Sequence, residues 1–169
     1  MTSLSEALGW NKLIAWRLDP LQFAPTWDSG EGAFRFGGRW NRPGLRAVYS
    51  SRDPATAILE VAVHKGFEAL DRVPHVLTGF RVTDPSQVHV LPAKALPDLK
   101  WLSSGLPSVT QQDYGNLLLD NHPFVLLPSV VSRHSWNLVF TASAAQGRYD
   151  VISQETFMLD TRLHPQQKL

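Results

Sequence analysis

Cysteine is absent from the 169 residues, which excludes disulfides, thiolate nucleophiles and zinc–thiolate centres. Charge is sparse: charged residues make up 18% of the chain, 16 basic against 15 acidic, for a formal net charge of +1. That fraction lies below the roughly 25% of ordinary globular chains. It argues against a globally basic binder, because phosphate-backbone recognition leaves a basic footprint across the domain. No stretch approaches the ~20 apolar residues of a membrane span. The N-terminus, MTSLSEALGWNKLIAWRLDP, has no basic start leading into a long apolar run and a small-residue cleavage site, so it does not read as a secretory signal. With cysteine missing as well, the expected location is the cytoplasm. Neither G-x-G-x-x-G, nor G-x-x-x-x-G-K-[ST], nor G-x-S-x-G occurs, which leaves dinucleotide-fold, ATPase and serine-hydrolase readings without their signatures. The histidines, His64, His75, His89, His122, His134 and His164, form no H-E-x-x-H or comparable helical pair, and no metal site is expected.

What is present is an ordinary apolar share, 43%, enough for one domain with a sizeable core. No repeat, low-complexity tract or linker divides the chain, so residues 1–169 are expected to form a single domain. Ser3 followed by Glu6 has the spacing of a capping box and predicts a short helix over Ser3–Leu13. Ile14–Leu18 reads as a strand. The Gly- and Pro-rich stretch from Asp19 to Gly44 reads as a long loop, a kind that is usually functional. Strands are expected at Ala47–Ser50, Val76–Val82, Val88–Val90, Phe124–Val131, Leu138–Thr141 and Thr156–Leu159. Asp53-Pro54 supplies an N-cap and an N1 proline for a helix ending at Gly66, and a second helix runs from about Ser108 to Leu119. The irregular mixture predicts an α+β fold.

Four features break the pattern. Glu60 is the only charge between Asp53 and Lys65 and sits within AILEVAV. A carboxylate there is paired, protonated or aimed at a cavity, unless it lies on the exposed stripe of the helix. Gly37-Gly38-Arg39-Trp40-Asn41 combines glycines that let backbone approach a ligand with an arginine fork suited to phosphate; the bland reading is a surface turn. Arg17, flanked by Trp16 and Leu18, needs an anionic partner, either Glu60 or a ligand phosphate. Pro128-Ser129 ends the apolar run FVLL and places a hydroxyl where a cleft could open. Five arginines, Arg35, Arg39, Arg42, Arg46 and Arg52, fall between Gly32 and Arg52 with no acid among them.

In this order the residues resemble the RES domain family, named for its arginine, glutamate and serine: Arg17 in AWRL, the GA-x-x-x-GGRWN-x-x-G block from Gly32 to Gly44, Tyr49 in VYSS, Glu60 in AILEV and Ser129 in LPSVV. The set spans roughly three quarters of the chain, from Trp16 to about Asn137. The resemblance implies an ADP-ribosyltransferase-like mixed sheet with flanking helices, and a toxin of the RES–Xre type that consumes NAD⁺ as a substrate, with no prosthetic group. It implies Arg17, Arg39, Tyr49, Glu60 and Ser129 as the site, with Ser132 and Ser135 as alternative hydroxyls. It further implies a helix-turn-helix antitoxin of the Xre type covering that site. After Asn137 the chain reads LVFTASAAQGRYD where the family tends to an Asn-Pro pair, and the first fifteen residues lie outside the motif set.

Nicotinamide departs as a neutral molecule, so the reaction needs no general acid and one carboxylate suffices where ordinary glycosidases need two. Glu60 would then stabilise an oxocarbenium-like ribose or orient the nucleophile. Arg17 and Arg39 would bind phosphate oxygens, with Glu60 a further partner open to Arg17; Tyr49 would flank the nicotinamide or its ribose, and Ser129 would hydrogen-bond the ligand. Glycohydrolase or phosphorylase activity is the leading expectation, a protein ADP-ribosyltransferase the first rival and a non-catalytic partner-binding module the second.

Overall fold

The computed structural model describes residues 13–163. Seven strands, β1 (Ile14–Pro20), β2 (Ala47–Ser51), β3 (His75–Val82), β4 (Val88–Val90), β5 (Phe124–Pro128), β6 (Trp136–Thr141) and β7 (Tyr149–Phe157), form one sheet. Their order is β4-β5-β6-β2-β1-β3-β7. Only β4 and β5 run parallel. Helices α1 (Glu31–Phe36), α2 (Pro54–Lys65), α3 (Phe67–Arg72), α4 (Val109–Asn121) and α5 (Ala142–Ala145) complete the α+β architecture expected from the sequence.

The centre of the sheet is buried on both faces. Along β5, Phe124 and Leu126 join one core with Val48, Phe80, Leu138 and Phe140. The alternate residues Val125 and Leu127 join a second core with Val139, Trp40, Trp101, Leu118 and Leu119. This is why FVLL reads as a continuous apolar run instead of an alternating one. A third, smaller cluster packs Ile58, Val61 and Ala62 of α2 against Leu18 and Leu70.

Several expectations need correction. The Asp19–Gly44 loop contains a 3-10 turn at Leu21–Thr26 and the helix α1. α1 begins at a left-handed glycine, Gly30, and carries a Glu31–Arg35 ion pair at the i,i+4 spacing that supports helices. Strand β5 stops at Pro128 and does not reach Val131, and β7 begins at Tyr149, seven residues before the expected start. Its polar sequence, YDVISQETF, hides an edge strand whose residues are mostly exposed. Of the expected Ser3–Leu13 helix, all but Leu13 lies outside the described residues, and Leu13 itself is core. The segment after Asn137 continues β6 and turns at Thr141, whose hydroxyl caps α5. α2 is less enclosed than its sequence implies, with Leu59 and Val63 exposed.

Asp53 starts α2 as expected: Oδ1 accepts the Thr56 N–H at 2.8 Å, and Oδ2 accepts the Ser135 hydroxyl at 2.5 Å. Burial acts to raise its carboxyl pKa, but hydrogen bonds from Ser135, Thr56 and Ala55 prevail and hold it below the ordinary 3.8. The associated stability is therefore present above that value and lost as pH falls through the lower folded-state value. Asp53→Ala is expected to cost about 1–2 kcal/mol at pH 7. Melting curves should show the gap to the unsubstituted protein narrowing below the ordinary carboxylate pKa.

Candidate functional site

Glu60 lies on α2, half-buried, with its carboxylate turned toward the ends of β5 and β6. Oε1 accepts two hydrogen bonds, from Ser129 Oγ at 3.0 Å and from Asn137 Nδ2 at 2.7 Å. Oε2 makes no hydrogen bond with any described residue and is not a buried orphan. Ser129, just past β5, is almost fully buried, and its Oγ also accepts the Ser132 backbone N–H at 3.1 Å. The three candidate hydroxyls are thereby separated: Ser129 touches Glu60, Ser132 contributes backbone, and Ser135 caps α2 through Asp53.

Arg17 does not pair with Glu60. Its Nη2 meets Asp19 Oδ1 at 2.9 Å, two residues along β1, and its Nη1 donates to the Tyr49 carbonyl at 2.8 Å. Alternation along a strand puts Arg17 and Asp19 on the same face, which makes Asp19 the nearer anion. Burial raises the Asp19 carboxyl pKa, against the opposing charge of Arg17. Arg17 Nε is buried and has no hydrogen-bond partner among the described residues.

The GGRWN segment is a built loop. Gly38 N–H donates to the Asn41 carbonyl at 2.9 Å. The Tyr49 hydroxyl accepts the Trp40 N–H at 2.9 Å and donates to Asn41 Oδ1 at 2.7 Å, while Asn41 Nδ2 serves the carbonyls of Ala33, Arg42 and Leu45. A Cβ on Gly38 would fall 2.6 Å from the Tyr49 hydroxyl, so this close approach requires glycine. Burial is the main reason the Tyr49 phenol pKa is raised. Tyr49 thus positions the loop through its hydroxyl. Tyr49→Phe leaves the Trp40 N–H and Asn41 Oδ1 without that partner, and a loss of about 2 kcal/mol is expected, read as a lower denaturation midpoint.

Arg39 leaves this loop to reach Trp101 O at 3.2 Å, Ser103 O at 3.3 Å and Gly105 O at 3.0 Å. Burial lowers its guanidinium pKa, and the charge of Glu60 opposes that shift. The fork expected to face phosphate is largely occupied by backbone carbonyls and ties the 101–105 segment to the GGRWN loop. The other arginines of the cluster are also engaged. Arg35 and Arg46 pair with Glu31, Arg42 pairs with Asp113, and Arg52 donates to the Ile14 carbonyl at 2.8 Å.

Five residues to which the sequence alone assigned no role complete the site, Asn41 among them although it belongs to the GGRWN block. Asn137 holds Glu60, Ser51 Oγ donates to Asn137 Oδ1 at 2.9 Å, and Asn41 organises the loop. Gln112 and Asn116, one helical turn apart on α4, hydrogen-bond the Gly38 carbonyl and the Arg42 N–H. Their i,i+4 spacing, with Gly115 between them, was a visible signal of a helix face pressed against backbone. Among the described residues no group of three His, Asp or Glu side chains is arranged to hold a metal ion, and no helix is long and apolar enough to cross a membrane.

The chain is thus an α+β protein that brings a helical carboxylate, a strand-end serine and a glycine-built arginine loop to one side of a mixed sheet. The RES domain family model matches residues 14–160, and the chain belongs to that family. It is 32% identical over 153 residues to a protein named Toxin Res from Pseudomonas putida (strain KT2440), covering 89% of this chain and 99% of that one. It is 28% identical over 159 residues to a second Toxin Res, from Photorhabdus laumondii, covering 89% and 97%. The fold is similar to that in the crystal structure of the M. tuberculosis MbcT–MbcA toxin–antitoxin complex, with a TM-score of 0.70 and 23% identity, over 87% of this chain and 85% of that one.

Proposed function

We propose that this protein is a toxin that consumes NAD⁺ by cleaving the bond between nicotinamide and ribose, with water or inorganic phosphate as acceptor. The observation that supports this most directly is the state of Glu60: one carboxylate oxygen is held by Ser129 and Asn137, and the other has no partner among the described residues. A carboxylate pinned in this way suits an oxocarbenium-like centre, since it is oriented before the charge develops. The buried Arg17 Nε, without a partner among the described residues, supplies a donor that a pyrophosphate oxygen would satisfy. Arg39 retains donors beyond its three carbonyl contacts.

In this reading nicotinamide leaves with the bonding electron pair as a neutral molecule. Water then adds to C1 of the ribose and loses a proton, giving ADP-ribose, or phosphate adds and gives ADP-ribose 1″-phosphate. Glu60 stabilises the cationic ribose or orients the acceptor, Ser129 holds Glu60, and Tyr49 keeps the arginine loop in place. The relatives' names and the toxin–antitoxin neighbour support an antitoxin partner; the proposed partner is a helix-turn-helix antitoxin of the Xre type that covers the site, in the cytoplasm where NAD⁺ is drawn down. The test is mass spectrometry of NAD⁺ incubated with purified protein, with and without phosphate and a protein acceptor. Loss of NAD⁺ with free ADP-ribose or its phosphate supports the proposal. ADP-ribose appearing on the protein acceptor would make the chain an ADP-ribosyltransferase, and intact NAD⁺ with no toxicity on expression would leave a binding module.

A further inference from the structure

We propose that Asn137 is the positioning residue for Glu60, and that Ser51 holds Asn137 in that role. The inference rests on Glu60 being the group that acts on substrate. Ser51 and Asn137 face each other across the β2–β6 ladder. Ser51 is 2% exposed, so this pair is fixed by the buried centre of the sheet. An ionised carboxylate only accepts hydrogen bonds, so the Asn137 amide must turn Nδ2 toward Glu60, as it does at 2.7 Å. Oδ1 then faces β2, where Ser51 Oγ donates to it at 2.9 Å. The result is a directed chain from Ser51 to Asn137 to Glu60, and it converts the rigidity of two sheet strands into the orientation of a side chain on a helix.

The consequence is asymmetry between the two carboxylate oxygens. Glu side chains lose considerable rotamer freedom when ordered, and α2 is open enough at Leu59 and Val63 that packing alone does not supply the constraint. Asn137 and Ser129 both act on Oε1, so Oε2 is the oxygen presented to the ribose. Ser129 approaches from the end of β5 and Asn137 from β6. Without Asn137 the carboxylate keeps one anchor and can rotate about it.

The full chain carrying Asn137→Asp keeps the shape and replaces the donor with a second carboxylate facing Oε1. Its kcat for NAD⁺ consumption is expected to fall about a hundredfold, with KM within about threefold of the unsubstituted value, the cost of misplacing a catalytic group by an ångström or so. Asn137→Ser, which cannot reach Glu60, is expected to lose about tenfold in kcat by the same reasoning. The melting temperature of Asn137→Asp should drop and be recovered in part in the double variant Glu60→Gln/Asn137→Asp, where the glutamine NH₂ donates to the new carboxylate while the Ser129 hydroxyl loses its acceptor, and turnover stays lost. Turnover of both single variants within twofold of the unsubstituted protein overturns the proposal, as does a rise in KM with kcat unchanged. An unsubstituted protein that leaves NAD⁺ intact would overturn the NAD⁺ reading alone. The melting-temperature cycle would still decide the contact, because strictly additive changes would mean that Asn137 and Glu60 are not coupled.

Discussion

Glu60→Gln is expected to slow NAD⁺ consumption by roughly a thousandfold while changing stability by less than about 1 kcal/mol. The rate term is electrostatic. Two unit charges at about 4 Å interact by about 4 kcal/mol at an effective dielectric constant near 20, and at 1.36 kcal/mol per factor of ten that corresponds to about three decades. The stability term follows from how the carboxylate is held. Oε1 accepts from Ser129 and Asn137, and the amide oxygen of glutamine can accept both. The glutamine NH₂ then occupies the Oε2 position, which has no partner among the described residues and is not sealed from water, so no buried donor is orphaned. Mass spectrometry of residual NAD⁺ and a thermal melt on the same preparation check both halves. A variant that turns over at the unsubstituted rate would remove Glu60 from the mechanism, and one that unfolds would show that the carboxylate is structural.

Where a residue's own chemistry dictates its environment, the sequence was enough. Glu60 is legible because a single carboxylate in an apolar run requires an explanation, and it proves to be paired by hydrogen bonds to neutral partners. Asp53-Pro54 is legible because capping is local. Partners brought together by topology were not legible. Asn137 lies 77 positions from Glu60 in the chain and reaches it only because β6 sits beside β2. For Arg17 the sequence offered Glu60 or a ligand phosphate as the anion, whereas strand geometry supplies Asp19, two residues away on the same face. Only the end of β7 was legible, because an edge strand need not be apolar and its length is set by pairing with β3.

The arginine-rich segment shows the same limit from the other side. A run without acids suggests an electrostatic patch, yet Glu31, the residue just before the run, answers Arg35 and Arg46, and Asp113 answers Arg42 from α4. Arg17 and Arg52 serve the sheet itself. β1 and β2 share a single register pair, Trp16 with Ser51. On one side of it Arg17 donates to the Tyr49 carbonyl, and on the other Arg52 donates to the Ile14 carbonyl. These side chains bridge the two strands where the backbone ladder is short. The shortest backbone ladder in the sheet, counted in register pairs, therefore runs beside Tyr49 and Ser51.

The second large effect is expected on α4. Gly115→Ala should destabilise the protein by about 3 kcal/mol or more, although alanine is the better helix former by about 1 kcal/mol. A Cβ on Gly115 would lie 2.0 Å from the Trp40 carbonyl oxygen and 2.5 Å from its carbon. Both are backbone atoms, so no side-chain rotation relieves the overlap, and α4 must move away from the GGRWN loop. That movement strains the hydrogen bonds from Gln112 to the Gly38 carbonyl and from the Arg42 N–H to Asn116, which join the same helix face to the same loop. NAD⁺ consumption should fall with stability, because Arg39 is carried on the loop that is displaced. Gly32→Ala is the matching control: Gly32 is inside α1, its φ is not left-handed, and a Cβ there would have nothing within 4 Å. It should gain about 0.5–1 kcal/mol from helix propensity. Denaturant midpoints that move in opposite directions for the two alanines would show that the loop–helix contact, and not glycine content, is what α4 contributes to the site; equal midpoints would refute it.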